Sequence, residues 1–331
     1  MSHLTILPIE IKTIKRFIRL WCINLNRLEP VLYGGDKITY KCINVFLDKK
    51  RSENDCNNKK RENIIGCIIN KIIPTNYYKY SKRWCNLQNQ IDLFIKQLCE
   101  QRNITCSNNN VCIHKAGRGN HYDFKLIINN IEEFMVEFKF NVSCVNDTPQ
   151  FVSPMKPSKY LDSSYEAYYY DNYFIPLNNK FNMQLPSKEE YLKYIHSPNP
   201  LCLKCHQDKY YNGCKNSSKY TAKEDDINFY NSSLKASSDS IASFISKYGV
   251  KQDKLTEYLL ETQKNKFYML YKDGNLHLET INQDDYIITE VTNDIKRKNR
   301  YIATTKSGKI MNILLRWKNG NGIAFPAFQI S

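Results

Sequence analysis

Residues 117–140 read GRGNHYDFKLIINNIEEFMVEFKF. Polar and apolar side chains alternate from His121 and then run apolar through Ile128, which is strand periodicity. Asn129-Asn130 interrupts, and residues 134–140 are apolar except for Glu137 and Lys139. Two short strands around a polar turn predict a β-hairpin. If the turn centres on Asn130, Asp123 falls opposite Glu137. Glu137 and Lys139 are two apart and share a face of their strand, while Phe138 and Phe140 point into a core. That face then carries two carboxylates and an ammonium side by side. Charge in so apolar a strand is costly unless it is paired or used.

Outward from the hairpin, residues 86–101 (NLQNQIDLFIKQLCEQ) place Ile91, Phe94, Ile95 and Leu98 at helical spacing, and Val111-Cys112-Ile113 is a short apolar strand. Gly117-Arg118-Gly119 supplies a flexible turn. The local order is helix, strand, glycine turn, strand, strand. Asp123 with Glu137-Phe138-Lys139 resembles the site of the PD-(D/E)XK nuclease superfamily, the restriction-endonuclease-like fold. The resemblance covers roughly a sixth of the chain, and its motif is short and loose. Tyr122 stands where the family's proline would precede the Asp, and Glu10-Ile11-Lys12 also fits Glu-x-Lys, so context carries the match.

The resemblance implies an α/β (α+β) fold, a mixed sheet flanked by helices, and metal-dependent hydrolysis of DNA phosphodiesters. Mg²⁺ or Mn²⁺ would be held by Asp123, Glu137 and the backbone carbonyl of Phe138, with Lys139 orienting water or stabilising charge. The family often adds an acid from the preceding helix, here Asp92 or Glu100, and a polar residue after the third strand, here Gln150. Arg118, His121, Lys156 and Lys159 are the cations and histidine expected to meet phosphates. The plain alternative is a salt-bridged hairpin in which Lys139 neutralises Glu137 and Asp123.

Composition agrees with a polyanionic partner. The chain of 331 residues carries 48 Lys and Arg against 33 Asp and Glu, a net charge of +15. Such an excess favours nucleic acid first. Abundant Lys, Asn, Ile and Tyr look like the coding bias of an AT-rich genome, in the style of a large DNA virus or mobile element. No run of about 18 apolar residues occurs, so no membrane span is expected. Twelve cysteines without an apolar leader suggest a reduced intracellular protein, in cytoplasm or nucleus or packaged in a virion. Nothing argues against a homodimer.

The remaining chain is read more coarsely. Residues 9–25 form an amphipathic basic helix, and 31–47 look like strands around Gly34-Gly35. Residues 48–63 (DKKRSENDCNNKKREN) are charged without periodicity, so a solvated loop is expected. Residues 1–84 are assigned to an N-terminal region and 85–331 to the nuclease-like domain. Within the latter, 176–235 is a loop-rich insertion and 265–331 is β-rich. Two helices fill 238–264, turning at Gly249. Cys202, Cys205, His206 and Cys214, with His196 nearby, have the spacing of a structural Zn²⁺ site, although the second CxxC of a strong motif is missing. The expected activity is a Mg²⁺-dependent DNA endonuclease. The rival is a non-catalytic nucleic-acid-binding or virion-associated protein.

Overall fold

The computed structural model describes residues 28–48, 54–106, 109–115, 120–145, 156–197, 200–294 and 296–331. The helix expected at 9–25 and the glycine turn at 117–119 lie outside them. The fold is α+β, as the sequence implies, and the chain divides into two compact units. One comprises the described residues of Met1–Asp147 with Asn265–Thr280; the other comprises those of Thr148–Lys264 with Ile281–Ser331. The division expected at residue 85 is therefore not the one observed. The described residues before 85 share a core with the hairpin, and the long second unit is inserted before the sheet is finished.

The first unit is built on a five-stranded mixed sheet: β3 (Asn110–His114), β4 (Phe124–Ile128), β5 (Glu132–Phe140), β6 (Lys266–Lys272) and β7 (Asn275–Glu279), in that spatial order. A small hairpin of β1 (Val31–Tyr33) and β2 (Asp36–Ile38) precedes it. The β4–β5 hairpin pairs Phe124 with Val136 and Ile128 with Glu132, the register read from sequence. Asn129 and Asn130 both have positive φ in its turn, a region Asn enters more readily than most residues. β5 and β6 run parallel, and the connection between them contains most of the second unit. Asp273-Gly274, both with positive φ, close the β6–β7 hairpin.

Among the described residues, three helices belong to this unit: α1 (Asn54–Ile69), α2 (Thr75–Tyr80) and α3 (Lys82–Gln101). In α3, Trp84, Leu87, Ile91, Phe94, Ile95 and Leu98 form one buried stripe, and the Ser81 hydroxyl accepts from the Trp84 N–H. These side chains and those of α1 share a core with Phe124, Leu126, Phe134, Val136 and Phe138. Residues 54–63, expected as a loop, are the first half of α1. Their buried members are Asn57, Arg61 and Asn63, so the helix has no apolar stripe there to reveal it. Residues 40–46 form a 3₁₀ helix rather than a strand.

The second unit holds α4 (Tyr165–Tyr169), continued by a π-helical turn at Tyr170–Phe174, then α5 (Ile175–Phe181), α6 (Lys188–Tyr194), α7 (Lys204–Gly213), α8 (Glu224–Ile245) and α9 (Gln252–Gln263). Its sheet is antiparallel, β8 (Ile288–Asn293) to β11 (Ala324–Ile330) through β9 (Arg300–Thr305) and β10 (Ile310–Asn319). The stretch 176–235 is thus mostly helical, not loop-rich. In α8 the inward face is partly written in serine: Ser233, Ser237 and Ser240 are buried at helical spacing. Ser240 bonds the hydroxyl of Tyr165, which also receives the Trp317 indole N–H. Among the described residues no helix is long and apolar enough to cross a membrane.

Candidate active site

The hairpin positions its acids through an interruption of the ladder. β4 begins at Phe124, and the N–H of Asp123 donates to the Val136 carbonyl at 3.0 Å. The Asp123 carboxylate then accepts the Phe138 N–H at 2.9 Å. These two bonds straddle Glu137 and hold Asp123 beside it. The N–H and C=O of one strand residue point to the same side, so the Phe138 carbonyl also faces the Asp123 edge. Phe138 itself is buried in the core, while Glu137 and Lys139 lie on the opposite face. Lys139 Nζ donates to Glu137 Oε1 at 2.5 Å.

Two further residues join this group that the sequence reading did not select. Lys266 opens β6, and its Nζ lies 3.7 Å from Glu137 Oε2 although the residue is only 9% exposed. The other is Glu62, from α1. Its position follows from how that helix lies along the edge strand. The side-chain amide of Asn70 accepts from the Cys112 N–H at 2.8 Å and donates to the Cys112 carbonyl at 3.0 Å. One turn earlier, Gly66 approaches so closely that an added Cβ would stand 2.8 Å from the Tyr33 ring and 2.9 Å from His114. One turn earlier again is Glu62, in the electrostatic reach of Asp123 and Glu137. Helix rise per turn and strand rise per two residues nearly match, so residues 70, 66 and 62 step along β3 toward Asp123.

The electrostatics of the cluster follow from burial and crowding. Burial pushes the Glu62 carboxyl up to about 8, with the charges of Asp123 and Glu137 adding to it and Lys139 and Lys59 opposing. Asp123 is pushed up to about 6, first by burial and then by Glu137, against the Phe138 N–H and the two lysines. Burial lowers Lys266, and Lys139 adds to that, while Glu137 and Asp123 resist. Glu62, protonated near neutrality, thus lies beside an Asp123–Glu137 pair that faces Lys139 and Lys266. A group with so many perturbed neighbours is the pattern expected of a functional site.

The remaining expected site residues are elsewhere. Asp92, exposed on α3, has Lys71 and Tyr78 as its charged and polar surroundings. Glu100 pairs with Lys96 on the same helix. Neither joins the hairpin acids, because α3 buries its apolar stripe and these two carboxylates are exposed. Gln150 and Arg118 lie outside the described residues. His121 is exposed in the bend before Asp123, whereas Lys156 and Lys159 are exposed on the second unit.

Among the described residues no group of three or more His, Cys, Asp or Glu is gathered to hold a metal ion. His206 is buried against Phe174 with its Nε2 on Asn178 Oδ1 at 2.6 Å, and Cys205, next to it on α7, is exposed. His196 instead pairs with Glu166 at 2.8 Å. Cys99 and Cys106 are joined as a disulfide, where reduced cysteines were expected. What the hairpin offers a cation is a smaller set: the carboxylates of Asp123 and Glu137 and the Phe138 carbonyl, all hard oxygen donors. Searches against protein-family models, curated proteins and solved structures return no match to this chain.

Proposed function

We propose that this chain is a metal-dependent DNA endonuclease of the PD-(D/E)XK superfamily. The observation that carries the reading is the pinning of Asp123 beside Glu137, with Lys139 on the Glu137 face. Glu62 supports it by supplying a helical acid of the kind the resemblance implies, from α1 rather than α3. The mixed sheet flanked by helices and the net charge of +15 are consistent with it. Asp123, Glu137 and the Phe138 carbonyl would hold Mg²⁺ or Mn²⁺. When bound, that ion supplies positive charge to polarise a scissile phosphate and acidify water.

The chain's own residues do the rest. The Phe138 N–H fixes one Asp123 oxygen, so the carboxylate is oriented before any ligand arrives. Lys139 leaves Glu137 only a short distance to travel to a phosphate oxygen or an attacking water, where its ammonium stabilises developing negative charge. Lys266 remains as the buried counter-charge of Glu137. A second reading, a non-catalytic nucleic-acid-binding protein, is favoured by one observation: both Glu137 oxygens already face lysines. Plasmid cleavage in Mg²⁺ or Mn²⁺ decides between them. The nuclease reading expects cleavage by the parent, none by Glu137→Ala, and DNA binding by both. A parent that binds DNA and never cleaves it establishes the second reading.

A further inference from the structure

Away from the acids, the first unit contains two adjoining cavities that share Ile43 and Arg83. The larger, about 420 Å³, has an aromatic floor of Phe46, Phe140 and Tyr271. Phe140 and Tyr271 lie nearly parallel, 13° apart, and Phe46 stands edge-on to both. The Arg61 guanidinium covers Phe140 at 3.4 Å and fixes that ring. Polar groups ring the mouth: Asn86, Asn141 and Asp273. Asn86 donates to the Gly274 carbonyl at 3.2 Å. Its side-chain oxygen and the whole side-chain amide of Asn141 have no hydrogen-bond partner among the described residues. The smaller cavity, about 300 Å³, is cationic. Lys41, Lys82 and Arg83 line it with Tyr40 and Tyr80. Arg83 donates to Asn44 at 2.8 Å, and neither Lys41 nor Lys82 forms an ion pair among the described residues.

We propose that these two cavities form one nucleotide-binding site. The aromatic cavity would take the base, with the open amides of Asn86 and Asn141 at its edge. The cationic cavity would take the phosphate, with Arg83 between them. The shapes argue for a planar ring bearing an anion, and each cavity lies within the size range of small-ligand pockets, about 300–1,000 Å³. Phe46 and Tyr271 would meet the base, because Arg61 already covers the Phe140 ring; such contact is tolerant of sequence because every base has a π-face. Three cations suit a phosphate better than a carboxylate ligand of single charge. The assignment stands apart from hydrolysis: none of the lining residues is in the acid cluster. The nucleotide could come from a DNA strand or be free in solution.

The test is equilibrium binding in EDTA, with Glu137→Ala protein so that no probe is consumed. The probes are dAMP, deoxyribose 5-phosphate, phosphotyrosine and a 5′-phosphorylated single-stranded oligonucleotide. The site predicts saturable dAMP binding, weakened about tenfold or more by removing the base. Asn86→Trp, on an exposed helix face, should close the mouth and abolish binding. A Lys41→Ala, Lys82→Ala double variant should weaken dAMP while reducing the salt dependence. Tighter binding of the oligonucleotide assigns the site to a strand, and tighter binding of dAMP assigns it to a free nucleotide; either upholds it. Photo-crosslinking of azido-dAMP to peptides spanning 40–47 or 271–274 gives a readout independent of the variants. No saturable dAMP binding, equal binding of phosphotyrosine, or crosslinks confined to other peptides would overturn the proposal.

Discussion

Replacing Glu62 by Gln should make the hairpin region of the metal-free protein more stable at alkaline pH. The carboxyl is pushed from its ordinary 4.5 to about 8 by burial and by Asp123 and Glu137. A carboxyl whose folded pKa lies above its unfolded value stabilises the fold fully below the unfolded value. That contribution is lost as pH rises through the folded value. The window for Glu62 therefore runs from about 4.5 to about 8. The span, 8 − 4.5, corresponds to roughly 5 kcal/mol at about 1.36 kcal/mol per unit, as a ceiling. Glu62 is only partly buried, and solvent screening reduces the effect to roughly 2–3 kcal/mol.

Gln reproduces the shape of the protonated acid and cannot ionise, so the variant should lack that part of the pH dependence. Pulsed hydrogen–deuterium exchange across a urea series, read on peptides within 121–140 in EDTA, isolates this region from the second unit. The parent should lose stability between pH 5 and 9 more steeply than Glu62→Gln, and the two should converge near pH 5. Asp123 and Lys266 also titrate, but both proteins contain them, so the difference reports Glu62. Parallel profiles for the two proteins would refute the placement of Glu62 among the acids.

Other perturbations test the scaffold. Gly66→Ala should cost about 1–3 kcal/mol, because its Cβ would meet the Tyr33 ring and His114 Nε2 at 2.8 and 2.9 Å and push α1 off β3; urea unfolding measures this, and the Glu62-dependent pH profile should shrink with it. Arg61→Leu should cost about 3 kcal/mol or more. Its buried guanidinium donates to the Val45 carbonyl at 2.7 and 2.9 Å and to Asn58 at 2.6 Å, acceptors the variant leaves unpaired. Exhaustive chelation should leave the melting of the second unit unchanged, since Cys202, Cys205, His206 and Cys214 are not gathered for a metal; a fall in melting temperature restored by Zn²⁺ would contradict that placement.

Local pattern made the hairpin legible and left the helical acid hidden. Phe124, Leu126, Phe134, Val136 and Phe138 fall at every second position, and a period of two leaves only one register that buries them. Asp123, Glu137 and Lys139 were visible for the same reason, as charges in an apolar strand. Glu62 had no such contrast. It sits in a run of charge and amide in which the buried side chains, Asn57, Arg61 and Asn63, are themselves polar. Apolar periodicity is blind to a helix held by hydrogen bonds, such as those of Arg61 to the Val45 carbonyl. The signal that existed was the four-residue step from Asn70 to Gly66 to Glu62, and its meaning depends on knowing that Asn70 clamps Cys112. Lys266 was hidden differently: it precedes the apolar run FYMLY, and only the parallel pairing with β5 brings it to Glu137.

That parallel pairing also explains why the domain division escaped the sequence. An antiparallel neighbour of β5 could have followed it directly through a tight turn, but a parallel one needs a crossover. Here the crossover has grown into the second unit, with its own core around Tyr165, Tyr169, Phe244 and Trp317. The strand that completes the acid cluster therefore lies 126 residues beyond the end of β5, at Lys266 against Phe140. Proximity in sequence had made β6 look like part of a C-terminal β-rich region. The consequence for function is that Glu137 acquires its buried counter-charge only when β6 has docked on β5. Severing the chain within the second unit should then leave Glu137 without Lys266, and co-expressing the two pieces should restore both the sheet and the activity proposed for it.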